Sequence, residues 1–451
     1  MKHAALRTRY SVVSTEYEVP LRQAVLPLCL TAIGFCCATP SFSADWPQWR
    51  GPEGTGVSTD QGVPIVWHEQ RSIVWKCPLP PWGASTPAIW GDAIFVTSHS
   101  AENKLLLLKL DRKEGRIAWT QEVGSGEAPR QAPKRTTQKF HELHNLASPS
   151  PVTDGKVVVA HFGNGDLAAY DFAGQQLWKR NLQDDHGVYS IWYGHANSPV
   201  IASDVVISVC MQDSLAGLVE RPLESYLVAH DLRSGAVRWK LTRATMADAE
   251  QCDAYTTPLL CQLNGVQQLV VMGGNQLDSY DPASGRRLWF LPDLVGGRTV
   301  TGPTFSEGVI YATRGLRGAL FAVRPRPAGE LTSRDILWST TEGTPDTCCP
   351  VVASGLVFTV SDDGIARCYL TTNGNLKWKE RLKGKYKASP VAASGRIFFL
   401  NTEGLATVIS ASPRFDKLVE NQLDDETIAS PAISNGQIFL RGRKSLYCIG
   451  R

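Results

Sequence analysis

The 46 basic and 43 acidic residues of this 451-residue chain nearly cancel, and neither sign gathers in blocks, which excludes the one-sided charge that nucleic-acid binding needs. With 39 glycines, 27 prolines and 13 tryptophans, the composition favours many short strands joined by turns over long helices. The length exceeds that of an ordinary domain, but repeat folds grow by addition, so a single domain accommodates it.

Residues 1–44 read as an export signal. Basic residues stand at Lys2, His3, Arg7, Arg9 and Arg22, an apolar run covers 24–38, and small residues near Ser43-Ala44 suit cleavage. The run is about 15 residues against the roughly 20 of a spanning helix, so no stable membrane span is expected once the signal is removed. The mature chain is expected in the periplasm or cell envelope. Cys36 and Cys37 follow Phe35, not the small residue of a lipoprotein signal, which argues against lipidation. Past the signal, cysteines such as Cys210 and Cys448 sit singly inside apolar strand runs and read as buried thiols; no zinc-like CxxC pair occurs.

After an N-terminal extension over 45–66, a domain over 67–451 repeats one unit, seen most clearly at 147–179. A proline opens a strand, Asp154-Gly155 makes a tight turn into the β-branched run 156–161, residues 163–165 turn the chain again, and a last strand carries Trp178. Four such short strands bury too little alone and require neighbouring copies. The prolines expected to open the units are Pro87, Pro149, Pro199, Pro258, Pro303, Pro350, Pro390 and Pro431, spaced roughly 40 to 60 residues apart as propeller blades are. The unit's second half repeats Asp-x-x-x-Gly-x-x-x-Trp as Asp111/Gly115/Trp119, Asp231/Gly235/Trp239 and Asp281/Gly285/Trp289, with Asp171/Gly174/Trp178 one residue shorter. Asn373-Gly374 with Trp378 keeps the turn, Trp338 follows a proline-rich insertion, and Leu418 stands where a tryptophan belongs. The aspartates of these turns are expected to be structural, capping the turn.

The last unit supplies three strands before the chain stops. Ile73-Val74-Trp75-Lys76, upstream of the first unit, matches the fourth-strand wording Leu177-Trp178-Lys179, so it is expected to complete the last blade and close the ring, leaving no open edge. The fold class is therefore all-β, an eight-bladed β-propeller, with seven blades as the alternative count. In these repeats, over about 67–450, the chain resembles the pyrroloquinoline-quinone-like (PQQ-like) repeat proteins, and Trp46 to Ser58, WPQWRGPEGTGVS, resembles the lead-in of exported members of that family. The resemblance implies two functional kinds, quinoprotein dehydrogenases and non-catalytic scaffolds such as an outer-membrane assembly lipoprotein; fold alone does not choose between them.

Loops that join one blade's last strand to the next blade's first converge on one face of a propeller. The candidate ligand-binding face is thus Trp82, His144, Asn145, Trp192, His195, Asp253, Tyr255, Arg298, Cys348, Cys349, Lys385 and Lys387. The longest of these loops, 121–146 and 181–197, also carry His141, Glu142 and His186, and an insertion over 212–224 lies on the same face. His141 and His144 are three apart in a loop, not four apart on a helix, so a zinc motif is not expected. His195 is either a hydrogen-bonded loop histidine or a ligand holder. Asp424, Asp425 and Glu426 are either a solvated loop or oxygen ligands for a cation.

The resemblance implies one further possibility, because some quinoprotein dehydrogenases lay an adjacent-cysteine disulfide against the quinone and Cys348-Cys349 matches that pairing. The Glu, Asn and Asp positions of the accompanying calcium site and catalytic aspartate have no assignable counterparts. The favoured reading is an exported, non-catalytic, monomeric propeller whose loop face binds a protein or cell-envelope ligand, without metal or cofactor. The alternative is a PQQ- and Ca2+-dependent dehydrogenase oxidising alcohols or sugars.

Overall fold

The computed structural model describes residues 45–68, 71–127, 143–212 and 224–450. Among these residues the strands form eight sheets, each with four antiparallel strands, arranged as the blades of one propeller. In chain order, blades 1 to 7 cover residues 88–125, 152–181, 200–242, 259–291, 304–340, 351–381 and 391–422. Blade 8 takes Ala432–Ser434, Gln437–Arg441 and Ser445–Ile449 from the C-terminal end and is completed by Ile73–Pro78, whose Lys76 and Cys77 pair with Tyr447 and Leu446. The ring thus has eight blades and closes as the strand wording implies.

The apolar cores lie between blades. Val157, Leu167 and Trp178 of blade 2 cluster with Val206, Tyr226 and Val228 of blade 3, and comparable clusters join the other neighbours. Second strands such as Val157–His161 and Val205–Cys210 are buried on both faces because a sheet stands on either side of them. Outer strands such as Val237–Thr242 are largely exposed.

Two sets of hydrogen bonds join the blades. At the rim, the fourth-strand tryptophan of one blade covers the turn glycine of the next and donates to a carbonyl there. Trp119 Nε1 reaches Phe172 O at 3.1 Å, Trp178 reaches Leu232 O at 3.0 Å, Trp239 reaches Pro282 O at 3.0 Å, and Trp338 reaches Thr371 O at 2.8 Å. Each of these turns needs its glycine: Gly235 has φ +68°, and a Cβ there would lie 2.6 Å from the Trp178 ring. The turn aspartates cap as expected, Asp231 Oδ1 accepting from the amides of Arg233 and Ser234 at 3.1 and 2.9 Å.

At the hub, six of the eight residues that precede an opening proline donate their amides to the side chain of their counterpart in the next blade. Thr86 N donates to Ser150 Oγ at 2.9 Å, Ser150 N to Ser198 Oγ at 2.9 Å, and Ser198 N to Thr257 Oγ1 at 3.0 Å. The belt resumes with Gly302 N to Cys349 Sγ at 3.0 Å, Cys349 N to Ser389 Oγ at 2.9 Å and Ser389 N to Ser430 Oγ at 3.0 Å, and Thr86 Oγ1 closes it on Ser430 O at 3.1 Å. Its one gap is at Gly302, which has no side chain to offer Thr257. The belt corrects one proline: Ser150, not Ser148, holds the belt position, so blade 2 opens at Pro151 and Pro149 lies one step outside.

Blade 5 departs from the pattern. Its insertion sends Gly329–Glu330 across to pair in parallel with Trp289 and Phe290 at the outer edge of blade 4, giving that sheet a fifth strand. Trp289 Nε1 accordingly bonds to Gln268 Oε1 of its own blade at 2.9 Å.

The segment over 45–60 crosses the mouth of the central channel opposite the loops. Trp46 exchanges backbone hydrogen bonds with Ile89 of blade 1, Pro47 O accepts from Thr153 N of blade 2, Gly56 and Ser58 bracket Ala392 of blade 7, and Asp60 accepts from Gly436 N of blade 8. Fully buried Arg50 fastens the middle of it, its guanidinium donating to Thr55 O and, at 2.6 Å, to Pro350 O of blade 6.

Candidate functional site

Because that segment closes one mouth, the channel is a cup open on the loop face, with a cavity of about 290 Å3. Trp49 enters it from the closed side, its ring 3.5 Å from where a Cβ on Gly302 would lie. Around it stand belt residues Ser150, Ser198, Thr257, Ser389 and Ser430, and above them the loops contribute His144, Tyr193, Tyr255, Arg298, Asp346 and Lys387.

The charged groups of the wall are held in place by partners. Arg298 bonds to Asp346 at 3.1 Å and reaches Glu250 at 3.4 Å, while its guanidinium lies over the Tyr193 ring at 5.4 Å. Burial lifts the Asp346 carboxyl above its usual range against the opposing pull of Arg298. Lys387 Nζ bonds to Asp362 at 2.6 Å, and Asp362 in turn accepts from the amide and hydroxyl of Thr347 at 3.1 and 2.9 Å. Tyr255 Oη accepts from Tyr193 N at 3.1 Å, and burial raises its phenol well above the ordinary tyrosine value. The cup therefore offers two cations, one carboxyl group, two tyrosine rings, an indole and a ring of hydroxyls.

The structure brings together only some of the residues expected on this face. His144, Tyr255, Arg298 and Lys387 line the cup. Trp82, Asn145 and Lys385 line a neighbouring cleft with Glu426 and Arg443, where the Arg443 guanidinium sits 4.2 Å over the Trp82 ring. Trp192 is exposed away from the cup, and Asp253 is buried beside it, accepting from Trp192 N at 2.9 Å. His195 is fully buried, stacked on Tyr189 at 5.0 Å and beside His161 at 4.6 Å, and reaches no surface. Burial, and then the imidazoles of His161 and His144, pull its pKa well below the usual histidine value. Asp425 is spent on the amides of Lys444 and Ser445, and Glu426 pairs with Arg443 at 3.1 Å. His141, Glu142 and residues 213–223 of the insertion lie outside the described residues. Trp49 is a site residue that lies outside the repeats, in the extension over 45–66; the signal that marks it in the sequence is the pair of tryptophans Trp46 and Trp49.

Cys348 and Cys349 are free thiols, both buried in or beneath the belt, not on the cup wall. Cys349 fills the place held elsewhere by serine or threonine, and burial pushes the Cys348 thiol up. The Arg50 guanidinium lies on their other side, its own pKa lowered by burial and partly restored by the two sulfurs. A quinone stacked in the cup would meet Trp49 and the belt hydroxyls before either sulfur, and the one carboxyl of the wall, Asp346, is engaged by Arg298. The residues present do not fit a quinone–calcium pair.

Fold and cup define a propeller of PQQ-like repeats with its hub closed on one side. The model of the family described as outer membrane protein assembly factor BamB matches residues 52–242 and 328–414. The chain belongs to that family. The unmatched interval contains blade 4 and the start of blade 5, where the rim pattern fails. No curated protein matches it in sequence.

Among solved structures, BamB from Moraxella catarrhalis is similar at 14% identity and TM-score 0.57, covering 84% of this chain and 99% of that one. Quinohemoprotein alcohol dehydrogenase from Comamonas testosteroni is similar at 12% identity and TM-score 0.63, covering 90% and 80%. A europium-containing methanol dehydrogenase is similar at 12% identity and TM-score 0.50, covering 90% and 89%. At such identities these likenesses establish the fold alone.

Proposed function

We propose that this protein is an exported, non-catalytic propeller that binds a segment of another cell-envelope protein by seating one of its side chains in the cup. The observation that carries this reading is the cup itself, shut below by Trp49 and walled by groups already paired with one another, Arg298 with Asp346 and Lys387 with Asp362. A wall whose charges are satisfied before the ligand arrives suits recognition, since little reorganisation is needed on binding. Export is supported by the basic, apolar and small-residue pattern of residues 1–44. Among the described residues no helix is long and apolar enough to cross a membrane. The family description, an assembly factor, supports a protein partner.

A photo-crosslinking residue at position 193 tests this in the protein's own cell envelope. One reproducible partner is expected, lost when Lys387→Glu and Arg298→Glu are introduced. Crosslinks that are absent, or unchanged in those variants, would overturn the reading. The competing reading, oxidation of alcohols or sugars through bound quinone, rests on the dehydrogenase fold likeness. Incubation with PQQ and Ca2+ followed by dye-reduction assays with alcohols and aldoses decides it, with turnover supporting the dehydrogenase.

A further inference from the structure

Away from the cup, the joint between blades 2 and 3 holds three groups with the chemistry of a metal site. The short helix α1 (Leu182–His186) leaves the outer strand of blade 2, capped by Asn181, whose side chain accepts from the amides of Gln183 and Asp184. It ends with Asp185 and His186 beside His230, which lies on the Tyr226–Asp231 strand of blade 3. One ligand atom from each of Asp185, His186 and His230 lies within 4.8 Å of the other two.

We propose that Asp185, His186 and His230 bind one transition-metal ion of the Zn2+ class, tying blade 2 to blade 3. His230 is fully buried, and neither of its ring nitrogens has a hydrogen-bond partner; the same holds for His186 Nε2. Polar nitrogens left unpaired in the interior are costly, and ligation would satisfy them. Both rings are held in position by aromatic neighbours, His230 stacked on Trp178 at 6.1 Å and His186 edge-on to Tyr226 at 5.1 Å. Two imidazoles and one carboxylate form a donor set suited to Zn2+, Co2+ or Ni2+, whereas Ca2+ and Mg2+ require oxygen.

Two cations stand nearby and are occupied: Arg180 Nε donates to Gly235 O at 3.0 Å, and Lys240 Nζ lies 5.0 Å over the Tyr226 ring. Attraction of an acidic patch therefore does not account for affinity here; the imidazoles supply it. Asp185 is exposed, which leaves a fourth coordination position to water.

Co2+ titration of the metal-free full chain, followed by visible absorption and Zn2+ displacement, tests the site. One equivalent is expected to bind with the ligand-field bands of a four- or five-coordinate nitrogen–oxygen site. Asp185→Asn and His186→Asn, both on the solvent side, are each expected to weaken binding at least tenfold, and Zn2+ is expected to raise the melting temperature of the unaltered protein only. Absence of saturable binding, or affinities changed less than tenfold in the two variants, would overturn the proposal.

Discussion

Trp75 Nε1 donates to Arg112 O at 2.7 Å, and its ring lies so close to Gly115 that a Cβ there would sit 2.3 Å from it. Trp75 belongs to the strand that completes blade 8 and Arg112 to the turn of blade 1, so this contact is the rim latch that closes the ring.

Removing the latch should loosen the whole ring. Trp75→Ala is expected to cost about 2 to 3 kcal/mol, the lower part of the large-to-small range because the ring is only partly buried. Gly115→Ala should cost a similar amount, since φ +63° disfavours any side chain and the indole blocks it. Chemical denaturation of both variants measures this, and unchanged midpoints would contradict the closure role of Trp75.

The hub belt makes a prediction of opposite sign. Gly302 has ordinary contacts around a built Cβ, 3.5 Å to Cys349 Sγ, to Thr257 O and to Trp49, and its φ is not positive. Gly302→Ser is therefore expected to stabilise the fold by about 0.5 to 1 kcal/mol, restricting the unfolded chain and supplying the missing hydroxyl. Cys349→Ser should be nearly neutral, whereas Cys349→Ala should cost about 1 to 2 kcal/mol by orphaning the Gly302 amide. Equal melting temperatures for the serine and alanine variants would exclude the thiol from the belt.

Stability should fall in mild acid. Burial holds His161 down at about 3 and pulls His195 well below the usual value, while both titrate near 6.5 when unfolded. Below pH 6.5 the unfolded chain takes up protons that the folded chain refuses. Stability contributed by the neutral rings is therefore present above pH 6.5 and lost as pH falls toward the folded values, at about 1.4 kcal/mol per pH unit for each histidine. Urea unfolding at pH 7 and pH 5 tests this, and His161→Gln should reduce the slope by about one proton.

Arg50 fastens the segment that shuts the hub. Arg50→Lys keeps the charge but loses the planar guanidinium, whose Nη2 donates to Thr55 O and Pro350 O while its Nε donates to Gly54 O at 3.3 Å, and should cost about 1 to 3 kcal/mol. Limited proteolysis should then cut within 45–66 in the variant before it cuts any blade. A cleavage pattern identical to that of the unaltered chain would refute the fastening role.

The blades and their closure were legible because proline, turn glycine and tryptophan each answer to a backbone constraint that survives in the sequence. Pro149 and Pro151 show the limit: both fit the local wording, and only the hydroxyl partner across the joint, Ser198, marks which one opens the blade. The site was less legible because loop direction carries no periodicity. Tyr193 and His195 lie two residues apart in one loop, yet one lines the cup and the other is fully buried. Trp49 reaches the site because a segment remote from the loops crosses the hub; the paired tryptophans of that segment mark it as apolar but do not say where it docks.

Gly302 also bears on how the ring would yield. At the joint between blades 4 and 5 the belt is interrupted, and Trp289 turns back into its own blade; the joint is instead strapped from outside by Gly329–Glu330. The ring is therefore a bracelet with its clasp at that joint. Under heat or force, hydrogen exchange should appear first in the strands Leu259–Leu263 and Thr304–Ser306, before their counterparts elsewhere around the hub.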